Sequence, residues 1–118
     1  MEDCIFCKII NREIPTEFIF ADNDLVVFRD IKPMAPVHLL LVPRRHIISI
    51  AHLEEADRDL IAKMIFKAGE IARDLNISEK GYKLMFHVGE DGGQEVPHLH
   101  LHLLGGAKMK QKIEIVEK

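Results

Sequence analysis

Three histidines alternate with leucines in His98-Leu99-His100-Leu101-His102-Leu103-Leu104. In an extended strand successive side chains point to opposite faces. The imidazoles therefore share one face, about 6–7 Å apart along the chain, and the leucines share the other. A row of imidazoles is costly to bury without partners, water or a ligand. Three readings compete for it. The row can be an ordinary solvated strand face. It can hold a metal, with His38 or His87 supplying a further ligand to reach the three that catalytic zinc usually takes. Or one imidazole can attack an electrophile such as phosphorus while its neighbours supply charge and protons. Close imidazoles resist double protonation, so at least one stays neutral near physiological pH.

The preceding segment, Gly89-Glu90-Asp91-Gly92-Gly93-Gln94, favours the nucleophilic reading. Glycines let backbone N–H groups approach a phosphate closely. Alone such a stretch reads as a hairpin loop; feeding into the histidine row, it reads as a phosphate cradle beside a nucleophile. A second constellation is Cys4-x-x-Cys7, which by itself is as consistent with core packing as with metal ligation.

The elements that must position these groups follow from periodicity. Residues 4–10 form a short apolar run that predicts a turn or two of helix. Residues 18–21 and 25–28 read as a hairpin around Asp22-Asn23-Asp24. Residues 38–42 form an all-apolar strand, buried on both faces and ended by Pro43. Residues 53–75 carry apolar side chains at three- and four-residue spacing, the pattern of a long amphipathic helix, with Asn76 as a left-handed terminator. Residues 82–88 and 96–104 read as two further strands, and the alternating end of the tail as a short strand or a frayed segment. This order gives an α+β domain: an antiparallel sheet of about five strands with one long helix and a short N-terminal helix, the helices packed on one face.

The whole chain bounds the function. It has 118 residues, enough for one domain, with 47% hydrophobic and 30% charged residues. The net charge of −3 argues against a nucleic-acid partner, and no apolar run reaches the length of a membrane span. The N-terminal Met1-Glu2-Asp3-Cys4 is acidic where a secretory signal would be basic, so the expected compartment is cytoplasmic. There the two cysteines are expected to be reduced or metal-bound.

The run Gly92-Gly93-Gln94-Glu95-Val96-Pro97-His98-Leu99-His100-Leu101-His102-Leu103-Leu104-Gly105-Gly106 resembles the signature of the histidine triad (HIT) family, most closely its Hint branch of purine nucleoside phosphoramidases. Cys4-Ile5-Phe6-Cys7-Lys8-Ile9-Ile10, Glu13-Ile14-Pro15, Phe28-Arg29-Asp30-Ile31 and the stretch from Pro36 to His46 are similar to it as well. The resemblance implies a single HIT-like domain over residues 1–118, with its core at about 3–106 and a tail at 107–118. It implies a hydrolase that cleaves the P–N bond of adenosine 5'-phosphoramidate-type substrates through a nucleotidyl-histidine intermediate. His100 matches the nucleophile. His102 resembles the residue that contacts the phosphoryl oxygens, and His38 the member that completes the cluster with His98. The backbone around Gly93, Gln94, Glu95 and Val96 would hold the phosphate. Asp30 would grip the ribose hydroxyls, and Ile5, Phe6, Phe28, Ile31 and Leu40 would wall the purine.

The resemblance further implies a structural zinc held by Cys4, Cys7, His46 and His98, as in some bacterial relatives. It also implies chemistry that needs no metal, and a homodimer. Two residues depart from the family pattern. His87 stands where an Asn is usual, near the leaving group, and Glu95 where a Ser is common; both predict an altered leaving-group preference. Activities that fit the same fold are dinucleoside polyphosphate hydrolysis, nucleotidyl transfer and non-catalytic nucleotide binding as an adaptor. His52 is assigned no role.

Overall fold

The structure is a computed structural model and describes residues 3–117; Met1, Glu2 and Lys118, and the N-terminal reading that rests on the first two, lie outside the described residues. Helix α1 spans Ile5–Ile10. Strands β1 (Phe20–Ala21), β2 (Leu25–Arg29) and β3 (Val37–Pro43) follow. Helix α2 spans Arg58–Asp74, and strands β4 (Lys83–Met85) and β5 (Leu101–Gly105) complete the domain. The five strands form one antiparallel sheet in the order β1-β2-β3-β5-β4. Among the described residues no helix is long and apolar enough to cross a membrane.

The two helices do not share a face of the sheet as the sequence suggested. Period-two alternation divides the strands between two apolar clusters. Leu25, Val27, Leu39, Leu41, Leu101 and Leu103 pack with Met64, Ala68, Ile71 and Ala72 of α2. Val26, Phe28, Leu40 and Val42 pack with Phe6, Ile9 and Ile10 of α1. Central strands loaded with Val and Leu on both sides can accept a helix on each. The histidines therefore belong to the α1 side, and the leucines meet the long helix alone.

Helix α2 begins five residues later than the apolar spacing predicts. Two 3₁₀ turns, Ile50–His52 and Glu55–Asp57, precede it. Glu54 is extended, and its N–H donates to Asp57 Oδ2 at 2.8 Å in a reciprocal capping pair. Leu53 keeps its place against the core without being helical. At the other end Asn76 adopts φ 61°, the left-handed terminator expected.

The strands are shorter than the sequence pattern. Ladder pairing in β5 starts at Leu101 rather than at residue 96. Pro97 has no N–H to give. The His98 N–H turns back to the Val96 carbonyl (2.8 Å), and the Leu99 N–H bonds to Ile47 O (2.6 Å). His98 and His100 thus lie on an extended lead-in to the strand. In β4 only Lys83–Met85 pair, and in β1 only Phe20–Ala21. The tail at 108–117 forms no strand, and Ile113, Ile115 and Val116 are exposed.

Candidate active site

Strand β5 pairs with β3 so that His102 lies opposite Leu40 and Leu104 opposite His38. Directly paired residues share a face, so His38 and His102 rise from neighbouring strands into one space. His38 Nε2 and His102 Nδ1 are 2.9 Å apart. The direction of that bond is set elsewhere. The Met34 N–H donates to His38 Nδ1 at 3.1 Å. A nitrogen that accepts carries no proton, so neutral His38 holds its proton on Nε2 and donates it to His102. His102 Nδ1 is then the acceptor, and its own proton sits on Nε2. Burial, followed by the neighbouring His100, His87 and His38, pushes His102 down to about 4, with Asp30 opposing. Burial lowers His38 too, again against Asp30.

His100 has the opposite tautomer. Its Nδ1 lies 2.7 Å from the His98 carbonyl oxygen. Only a donor can satisfy a carbonyl, so Nδ1 is protonated and Nε2 keeps its lone pair. The ring is buried beside the edge of Phe6, centroids 5.0 Å apart. Burial lowers its pKa, which keeps the imidazole neutral and nucleophilic near neutrality. Two histidines two positions apart thus present unlike nitrogens: a lone pair on His100 and an N–H on His102. His87, after β4, adds a fourth imidazole, its centroid 4.9 Å from that of His102 and tilted by 34°.

Asp30 lies at the rim of this cluster. Its Oδ1 accepts the Lys32 N–H at 2.9 Å, and its Oδ2 is 3.4 Å from His38 Nε2. Asp30, His38 and His102 are close enough for a metal. However, the Met34 amide keeps the proton on the His38 nitrogen that would have to ligate.

Phe6, Phe28 and Leu40 line the base of the same face, with Phe6 edge-on to Phe28 at 5.7 Å. Ile5 is exposed, and Ile31 is 90% exposed, with no part in the apolar cluster of the chain.

The glycine loop is more self-contained than a cradle built from all its amides. The N–H groups of Gly92, Gly93 and Gln94 bond to the carbonyls of Gly89 and Glu90. The Gly89 N–H goes to Gln94 Oε1, and Gln94 Nε2 reaches Ile48 O at 2.7 Å. A Cβ on Gly92 would collide with the Val88 carbonyl oxygen, so only glycine fits this approach. The N–H groups of Glu95 and Val96 have no acceptor among the described residues, which leaves them for a ligand.

Beside the histidine face, Cys4, Cys7, His46 and His98 bring four ligand atoms within 4.8 Å of one another. His98 Nδ1 is 3.2 Å from Cys4 Sγ and 3.6 Å from Cys7 Sγ; His46 Nδ1 is 3.3 Å from Cys7 Sγ. Ligands at about 2.0–2.3 Å from a tetrahedral ion lie at such separations. The far nitrogen of His98 donates to Pro43 O at 2.8 Å, the outer bond that orients a metal-binding imidazole. Burial and the adjoining Cys4 push the Cys7 thiol up to about 11, a cost a cation between the sulfurs would remove. The donor set fits a metal ion. Sequence reasoning missed the Met34 N–H and the Pro43 carbonyl, which as main-chain groups have no signature in residue type.

A family model described as "Scavenger mRNA decapping enzyme C-term binding" matches residues 3–115. Protein HitA of Neisseria gonorrhoeae is 45% identical over 105 residues, covering 89% of this chain and 97% of that protein. Purine nucleoside phosphoramidase of Escherichia coli is 42% identical over 105 residues, covering 89% and 88%. A HIT family hydrolase from Legionella pneumophila superposes with a TM-score of 0.90 at 46% identity, covering 92% of this chain and 97% of that one. The chain belongs to the histidine triad family. It is a hydrolase of that family. The row His98, His100 and His102 carries the alternating histidine pattern, and the structure turns its rings to different neighbours. His98 turns its ring into the cysteine cluster, whereas His100 and His102 gather with His38 and His87.

Proposed function

We propose that this histidine triad hydrolase cleaves the P–N bond of purine nucleoside 5'-phosphoramidates. The observation that carries the reading is the bond from His100 Nδ1 to the His98 carbonyl, which leaves the Nε2 lone pair free beside the His102 N–H. His100 Nε2 attacks the α-phosphorus and forms a nucleotidyl-histidine. His102 donates its Nε2–H to a phosphoryl oxygen as charge builds there. His38 holds His102 in that tautomer, and the His98 carbonyl holds His100. Water then attacks the phosphorus and releases the nucleoside monophosphate.

The N–H groups of Glu95 and Val96, with Gly93 and Gln94 shaping the turn, bind the phosphate. The Asp30 carboxylate has acceptor capacity left for the ribose hydroxyls. Phe6, Phe28 and Leu40 floor the purine site, and Ile5 and Ile31 close over the base when it binds. Cys4, Cys7, His46 and His98 hold a zinc ion, whose chemistry there is structural: four protein ligands leave no open position. The protein works as a homodimer in the cytosol, where its thiols stay reduced, and residues 3–106 form the working domain.

Quenching the reaction with adenosine 5'-phosphoramidate and locating the adduct by mass spectrometry tests the mechanism. The expected product is adenylylated His100; an adduct on another residue overturns the assignment.

A further inference from the structure

Breaking a P–N bond requires a proton, because an amine leaves poorly as an anion. On the reading above, the cluster offers few sources for it. His98 has both ring nitrogens engaged, by the cysteines and by Pro43 O. His100 has one nitrogen on a carbonyl and spends the other on phosphorus. His102 has one N–H, and the chain of hydrogen bonds behind it runs to His38 and ends at the Met34 amide. A peptide N–H does not release its proton, so His102 cannot be resupplied from behind. Giving up Nε2–H would leave it an imidazolate. The relay ends blindly, and His102 is a donor of a hydrogen bond rather than of a proton.

His87 is the imidazole that remains. It is half-buried and lies against His102 at the edge of the cluster. Neither of its ring nitrogens is tied to a protein group among the described residues. It therefore reaches both the site and solvent, and can exchange protons with water. From this arrangement we infer that His87 is the acid that protonates the leaving amine, a catalytic role specific to amine leaving groups.

The His100 Nε2 lone pair forms the bond to phosphorus. The P–N bond breaks, its electron pair goes to the amine nitrogen, and that nitrogen takes a proton from the His87 imidazolium. The amine departs neutral, and neutral His87 faces the nucleotidyl-histidine. In the second half, water attacks phosphorus and releases its proton to solvent, the P–Nε2 pair returns to His100, and His87 regains its proton from solvent. Both histidines end as they began.

The test compares two adenosine 5'-phosphate derivatives on wild type and H87Q. One carries an alkylamine, which must be protonated to leave. The other is the p-nitrophenyl ester, whose leaving group departs as a stable anion. H87Q should lower kcat on the alkylamide by about 10²-fold or more, the usual share of a general acid. It should leave kcat on the ester within about twofold, the control that the variant is folded and its nucleophile intact. In H87A, added imidazole should restore turnover of the alkylamide alone. Equal losses on both substrates, or no loss on the alkylamide, would overturn the role of His87 while leaving the phosphoramidase reading intact. A wild-type protein that released nucleoside monophosphate from neither would overturn that reading, and this role with it.

Discussion

The main-chain oxygen of His98 meets His100 Nδ1 at 2.7 Å, while the His98 ring stands 3.2 Å from Cys4 Sγ. One residue thus belongs to the metal-fitting cluster through its side chain and holds His100, the proposed nucleophile, through its backbone. Protein purified without chelator is expected to carry one equivalent of zinc by metal analysis. Cys7→Ser should abolish that content, lower the thermal midpoint and reduce kcat with little change in KM. Zinc-free wild type would reject the metal assignment.

Replacing the proposed nucleophile separates chemistry from binding. His100→Ala should cut turnover by at least about 10³-fold. Calorimetry should still show nucleoside monophosphate binding within a few fold of wild type, because the purine floor and the loop amides are untouched. Retained turnover would exclude His100 as the attacking group.

Acid should unfold the protein through its imidazoles. Burial and the facing histidines hold His102 down at about 4 against an ordinary value of 6.5. The unfolded chain takes up the proton first, so the stability this group contributes is fully present above 6.5 and is lost as pH falls toward 4. Denaturant midpoints measured across that range should fall, and less steeply in His102→Asn. Parallel curves for the two proteins would contradict the buried neutral ring.

Gly92→Ala tests the tight loop. The added carbon would strike the Val88 carbonyl oxygen and stand 2.8 Å from the Val88 nitrogen, neither of which can swing aside. The loop must open, at a cost of about 1–3 kcal/mol, and the Glu95 and Val96 amides move with it. KM should rise more than kcat falls. Unchanged kinetics and melting would show that the loop tolerates displacement.

Much of this arrangement was legible in the sequence, for physical reasons. Alternation survives wherever the chain is extended, so His98, His100 and His102 share a side even though only His102 lies in the ladder. Helical spacing is a weaker guide to where a helix starts. Leu53 and Ala56 continue the apolar period across a 3₁₀ turn, and the true signal was the capping pair Glu54 and Asp57. The opposite placement of α1 and α2 was hidden because Val26, Phe28 and Leu40 are as apolar as the residues between them. The tautomers were not readable at all. They depend on a carbonyl at His98 and an amide at Met34, groups that every residue but proline offers alike.

The alternation in β5 also guards the fidelity of assembly. A slip of one position against β3 would turn the imidazoles in toward α2 and the leucines out toward the α1 face. That single error would force polar rings into hydrocarbon and erase the site together. A misregistered chain therefore has no way to be stable yet inert, or active yet fragile. For this strand, passing the test of packing and passing the test of catalysis are one event.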